Sequence, residues 1–253
     1  MNNKNLQNLG TKTKIVALWT APRCLSTVCE KVFSQRPDTV TIHEPFLYTY
    51  YYSQWRRSDR FGDRKEYLNY GAEKIIEHIN SQTTPLVFIK EMAYHTIPYI
   101  EREFLNSNIV NTFLVRNPKK SLLSWYKLNE FPTEEEFGFD SLNQMWQIVT
   151  EELKQKPIVI EADCVQSDPA KTFQYYCQNV DIKFVPEVLN WNQGRIKQEN
   201  SLREEIHTKW HQTLGSSTRI LPPTEATGEI RSQDMPMLER AMDVYQQLAQ
   251  FAL

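Results

Sequence analysis

The chain has 253 residues, 40% hydrophobic and 24% charged, with a formal net charge of -2 and a sequence pI of about 6.2. That mix excludes a fibrous or low-complexity chain and a general nucleic-acid or membrane-surface binder, which carries a basic excess; it leaves room for a local basic pocket holding a small anion. A chain of this length buries roughly 70–75% of its unfolded surface and needs no covalent staples, so one large α/β domain over residues 1–253 is expected.

Met1–Thr13 is polar and lacks the apolar stretch of a secretory signal, and reads as a frayed tail. Lys14–Trp19 (KIVALW) is a buried strand, and Ser26–Gln35 a helix with Ser26 or Thr27 at its N-cap. Thr39–His43 is a second strand. Phe46–Arg60 is aromatic and without a clear period, and Lys65–Asn80 reads as a helix with Leu68, Ala72, Ile75, Ile76 and Ile79 on one face. Pro85–Lys90 is a third strand, Ile97–Leu105 a short helix, and Asn108–Val115 a fourth strand. Pro118 opens a helix to about Asn129, and Ser141–Lys154 forms another. Pro157–Ala162 is a fifth strand, followed by a helix from Asp168, its cap, to Asn179. Residues 195–253 read as a C-terminal closing segment ending in an amphipathic helix over Asp234–Ala252. Short apolar strands alternating with helices predict a three-layer α/β fold: a central parallel sheet of about five strands flanked by helices. Ligands of such sheets bind beyond the carboxyl ends of the strands.

The four cysteines, Cys24, Cys29, Cys164 and Cys177, form no dense framework and no zinc spacing. Reduced thiols fit a cytoplasmic protein, in keeping with the lack of any apolar run near the ~18 residues of a membrane span.

Two strand ends carry chemistry. After the first strand comes Thr20-Ala-Pro-Arg-Cys-Leu-Ser-Thr27. A strand–loop–helix turn aims backbone N–H groups and a helix N-terminus at one point, a seat for phosphate or sulfate. Arg23 adds a positive charge, and Ser26 and Thr27 add hydroxyl donors. The glycines and Gly-Lys-Ser/Thr ending of a Walker A loop are missing. After the fourth strand, Arg116 is placed to fork onto a phosphate, and Ser124 follows eight residues later, about two helical turns on. Taken singly, each segment also suits an ordinary capped helix or a strand-end arginine paired with a carboxylate.

Together the two segments resemble the PAPS-dependent sulfotransferases (PAPS is 3'-phosphoadenosine-5'-phosphosulfate), bacterial members in particular. That family's 5'-phosphosulfate loop reads Pro-[Lys/Arg]-Ser-x-[Ser/Thr]-Thr, matched here by Pro22, Arg23, Cys24, Leu25, Ser26 and Thr27. Its 3'-phosphate element has an Arg at a strand end and a Ser eight residues on, matched by Arg116 and Ser124. The segments RPDTVTIHEPF, VFIKEMAYH and VIEADCVQSDPAKTF follow in the family's order, so the likeness covers about Lys14–Gly194. The resemblance implies a P-loop NTPase-like fold, PAPS as donor, PAP (3'-phosphoadenosine-5'-phosphate) as product, and a small-molecule acceptor, with no metal, nucleic acid or membrane required. One departure is Cys24 where the family has serine; a thiol is the poorer donor, and beside Arg23 at a helix start it also raises the prospect of a reactive thiol.

In-line sulfuryl transfer needs cations at the leaving oxygen and a base at the acceptor. Arg23 suits the first role, with Lys90 at the third strand's end as a second cation. His95, Glu44 and His43, in that order, compete for the base; a histidine has the better ordinary pKa for it, while Glu44 needs burial to raise its own. Phe46–Trp55 (FLYTYYYSQW) suits either an acceptor pocket that stacks on a cation or a packing loop. Gly194–Lys197, Lys209-Trp-His211 and His207 fall where the family closes a loop on the nucleotide. The alternatives are a phosphotransferase with a degenerate phosphate loop, which would take ATP–Mg²⁺, and a non-catalytic module that keeps the fold to bind an anion or a partner.

Overall fold

A computed structural model describes residues 13–128, 130–194 and 212–252. Five strands form one all-parallel sheet in the order β2-β3-β1-β4-β5: β1 (Lys14–Thr20), β2 (Thr39–His43), β3 (Leu86–Met92), β4 (Ile109–Val115) and β5 (Val159–Glu161). The crossovers carry α1 (Ser26–Ser34), α2 (Leu47–Tyr52), α3 (Ala72–Asn80), α4 (Ala93–Thr96), α5 (Arg102–Leu105), α6 (Pro118–Tyr126), α7 (Glu134–Phe137) and α8 (Phe139–Gln147). After β5 come α9 (Ala162–Ser167), α10 (Pro169–Asn179), α11 (Gln212–Ser216) and α12 (Met235–Ala249). β1 is central because its apolar run is buried on both faces: Val16, Ala17 and Leu18 have no exposed surface. Between β1 and β4 the strand order switches direction, which opens a crevice at their carboxyl ends.

Several polar groups inside the core are paired. Trp19 Nε1 donates to Asn111 Oδ1 at 2.9 Å and the Thr112 and Tyr176 hydroxyls lie 2.7 Å apart, while Phe33 stacks on Phe88 at 3.9 Å between ring centroids.

The five strands and the α10 cap stand as expected; the Asp168 side chain accepts from Lys171 N at 3.1 Å, with Pro169 in the first turn. Four expectations need correction. The helix expected over Lys65–Asn80 begins only at Ala72, after a short 3₁₀ turn at Lys65–Tyr67. Gly71 stands at the N-cap, Tyr70 is drawn edge-on against Tyr48, and Leu68 is left exposed. Ile97–Leu105 is likewise divided: α4 ends at Thr96 and only Arg102–Leu105 is helical. The Ser141–Lys154 segment leaves α-geometry at Ile148, where a π-helical turn runs to Glu152. Finally, α1 is capped by Leu25 rather than by Ser26 or Thr27, for a reason that belongs to the site.

Candidate active site

A cavity of about 240 Å³ opens at the carboxyl edge of the sheet. Pro22, Arg23, Leu25, Ser26 and Thr27 from the first loop line it, with Glu44, His95, Arg116 and Ser124 from the neighbouring strand ends. Nine of the twelve candidate residues are therefore brought to one wall; Cys24, His43 and Lys90 are not among the lining residues.

The loop after β1 owes its shape to unusual backbone. Arg23 and Leu25 take left-handed conformations, with φ of 63° and 77°, which costs about 1–2 kcal/mol each for non-glycine residues. Alternating hand turns successive N–H groups toward one side, the concavity that receives anions. It also makes Leu25 the N-cap of α1: Val28 N donates to Leu25 O at 3.0 Å, and no side chain caps the helix. Ser26 and Thr27 are spared capping duty and stand on the cavity wall. Gly138 backs this loop at φ 79°, where a Cβ would lie 3.0 Å from Pro22 Cδ.

Arg23 and Arg116 meet at the β1–β4 crevice. Arg116 Nη1 donates to Arg23 O at 2.8 Å, and Arg23 Nε donates to Ser124 Oγ at 3.0 Å. Arg116 Nε is buried with no hydrogen-bond partner among the described residues. Burial, and then the neighbouring Arg116, lower the pKa of Arg23 to about 10, so it is still a cation at neutral pH. Two arginines brought together in this way, one with a buried donor that has no partner among the described residues, suit an anion.

Cys24, expected among the residues that hold the donor, does not line the cavity. Its thiol turns inward, 3.6 Å from Ser121 Oγ and 3.7 Å from Pro22 O, and is fully buried. Burial pushes its pKa up, the opposite of a reactive thiolate. The loop's backbone N–H groups could meet an anion without help from this side chain. Cys24→Ser is therefore expected to change the PAP dissociation constant by less than about threefold, within the ~0.7 kcal/mol of an exchange between two inward-facing groups. Native protein is expected to resist iodoacetamide at Cys24 at pH 8, as peptide mapping would record.

His43 and Lys90, expected as a base and a second cation, do not line the cavity either. Both are buried and lie behind the wall in a chain of four ionisable side chains. His43 Nδ1 meets Glu30 Oε2, His43 Nε2 lies 3.7 Å from Glu44 Oε1, and Lys90 Nζ donates to Glu44 Oε1. Glu44, at φ 41°, also donates its N–H to Lys90 O at 2.7 Å. Lys90 thus holds Glu44 in place rather than reaching into the cavity. His95 stands on the wall itself: Nδ1 lies 3.0 Å from Glu91 Oε1, and Nε2 is buried without a hydrogen-bond partner among the described residues.

The aromatic segment forms a second small core. Tyr48, Tyr50 and Tyr52 pack with Tyr67, Tyr70 and Tyr94, while Tyr51 reaches the cavity beside Leu47, Phe61, Met92 and Tyr94. Arg60 at this end is tied to Glu136 and Glu130. Residues 214–221 close the opposite end with Leu214, Ser217, Arg219 and Leu221, held by Trp191 N donating to Thr218 O at 2.9 Å and Gly194 N to Gly215 O at 3.1 Å. The sequence placed closing residues at Gly194–Lys197, His207 and Lys209–His211; apart from Gly194 these lie outside the described residues. Arg219, Trp125 and Gln166, also on the wall, carried no sequence signal, because no local pattern marks a residue that only tertiary packing brings to the crevice.

A family model for the sulfotransferase domain matches residues 13–252, and the chain belongs to this family. In structure it is similar to the sulfotransferase domain of the Synechococcus PCC 7002 olefin synthase, with a TM-score of 0.51 at 13% identity, covering 92% of this chain and 96% of that one; this likeness concerns the fold. Among curated proteins it is similar to the branched-chain-amino-acid aminotransferase-like proteins 1 and 2 of Arabidopsis thaliana, at 25% and 23% identity over 92% of this chain. The chain spans only 41% of the length of either relative. Among the described residues, no helix is long and apolar enough to cross a membrane.

Proposed function

We propose that the protein transfers the sulfuryl group of PAPS to a hydroxyl or amine of a small molecule and releases PAP. The observation that carries this is the pairing of Arg23 and Arg116 across the β1–β4 crevice, with a buried Arg116 donor left unpartnered among the described residues. In this reading the loop Pro22–Thr27 receives the 5'-phosphosulfate through backbone N–H groups, Arg23, Ser26 and Thr27, and Arg116 and Ser124 receive the 3'-phosphate. His95 Nε2 takes the acceptor proton as the acceptor–sulfur bond forms and the bond from sulfur to the 5'-phosphate oxygen breaks. Arg23 stabilises the charge that develops on that leaving oxygen. Glu44, already bound to Lys90, is the weaker candidate for the base. The protein is taken to work in the cytoplasm, with no metal, nucleic acid or membrane needed.

The test is incubation with ³⁵S-labelled PAPS and fractionated metabolite extracts. Label is expected to move to a new species in step with PAP release. If label stays on PAPS with every fraction and no sulfate is released to water, the enzyme reading is lost and a binding module on the same fold takes its place.

A further inference from the structure

We infer that Glu91, which no sequence motif singled out, is the positioning residue that fixes the tautomer of His95. Glu91 sits on β3, paired in register with Trp19 and without exposed surface. Both its oxygens act as acceptors toward backbone: Oε1 takes Met92 N at 2.8 Å and Oε2 takes Phe46 N at 2.7 Å. Those N–H groups have fixed hydrogens and hold both oxygens as acceptors, and an ionised carboxylate has no hydrogen of its own to offer. Oε1 is also 3.0 Å from His95 Nδ1. An oxygen committed to accepting requires the ring nitrogen facing it to donate, which places the imidazole proton on Nδ1. A neutral ring then has its lone pair on Nε2, the atom without a partner on a residue of the cavity wall.

Among the described residues, none bonds Nε2. The rings of Tyr50, Tyr51 and Tyr94 pack around the imidazole, with Tyr94 closest at 4.2 Å between centroids. The hydroxyls of Tyr51 and Tyr94 bond to each other at 2.9 Å. The charged groups sharing this wall are Glu44, Arg23, Arg60, Arg116 and Arg219, and Glu44 and Arg60 are engaged elsewhere. Glu91 therefore joins three elements, through Phe46 ahead of α2, Met92 on β3 and His95 on α4, and makes the histidine's orientation a property of the sheet edge. It touches no reacting atom and acts through His95.

The catalytic consequence rests on His95 being the base, and the experiment separates the two ideas. Two-dimensional ¹H–¹⁵N spectra of the imidazole nitrogens near pH 8 are expected to show His95 protonated on Nδ1 in the wild-type protein; protonation on Nε2 overturns the inference, whatever the activity. In Glu91→Gln the carboxamide must turn a donor toward one of the backbone N–H groups or toward Nδ1, so the Nδ1–H tautomer is expected to lose its dominance. With water as acceptor, sulfate release from labelled PAPS is expected to fall about a hundredfold, while PAP affinity stays within threefold. An unchanged rate in folded Glu91→Gln protein also overturns the inference. If His95→Asn retains full activity, the base assignment fails instead, and the wild-type spectrum still decides whether Glu91 sets the tautomer.

Discussion

Arg116→Ala is expected to weaken PAP binding by at least about thirtyfold, and adenosine 5'-phosphosulfate, which lacks the 3'-phosphate, by no more than a few-fold. The guanidinium leaves β4 at the crevice, spends Nη1 on Arg23 O and keeps Nε buried and unpartnered among the described residues. A charge-assisted hydrogen bond contributes about 1.5–3 kcal/mol, and each ~1.4 kcal/mol is a factor of ten in affinity. One such bond to the 3'-phosphate accounts for a loss of ten- to a hundredfold, and a bidentate fork for more. Losing the contact to Arg23 O loosens the first loop as well, and that loss falls on both ligands alike. The ratio of the two affinities therefore reports the 3'-phosphate contact, and calorimetric titration of both ligands measures it. Equal losses would place Arg116 in a purely structural role.

The second large effect concerns stability. Lys90→Met is expected to lower stability by about 3–5 kcal/mol, the usual cost of stranding one member of a buried ion pair. At ~2–4 °C per kcal/mol for a chain of this size, the melting temperature falls by roughly 6–20 °C. Lys90 has no exposed surface and its ammonium meets Glu44, whose carboxylate also lies 3.7 Å from His43 Nε2. Removing the second charge as well, in Lys90→Met/Glu44→Gln, is expected to recover more than half of the loss, because no unpaired ion then remains in the interior. Urea unfolding of the wild type, both single variants and the double variant measures this coupling. A neutral Lys90→Met would mean that the pair does not form.

The parallel sheet was legible because its strands are short apolar runs bounded by turn residues, and burial on both faces leaves no other use for KIVALW or NIVNTFLV. The helices failed where a local conflict decides: Gly71 stops the helix expected from Lys65, and the pull of Tyr70 into the tyrosine cluster settles the matter. Strand ends likewise led to the cavity wall, since Pro22–Thr27 follows β1 and Arg116 and Ser124 follow β4. Side-chain direction was not legible. Cys24, His43 and Lys90 each stand at a strand end or loop that borders the cavity, yet each turns away from it, toward Ser121, Glu30 and Glu44 respectively. Glu91 escaped notice because its importance lies in two backbone N–H groups and one imidazole that meet only in the folded chain.

The most direct test of the central claim is the melting temperature of the protein with PAP and, separately, with ATP–Mg²⁺. A ligand at a hundred times its dissociation constant stabilises the native state by about 2.7 kcal/mol, which at ~2–4 °C per kcal/mol is a rise of roughly 5–11 °C. PAP at saturating concentration is predicted to give that rise, and ATP–Mg²⁺ at the same concentration less than a third of it. An equal or larger shift with ATP–Mg²⁺ would contradict a PAPS site and point instead to a phosphotransferase.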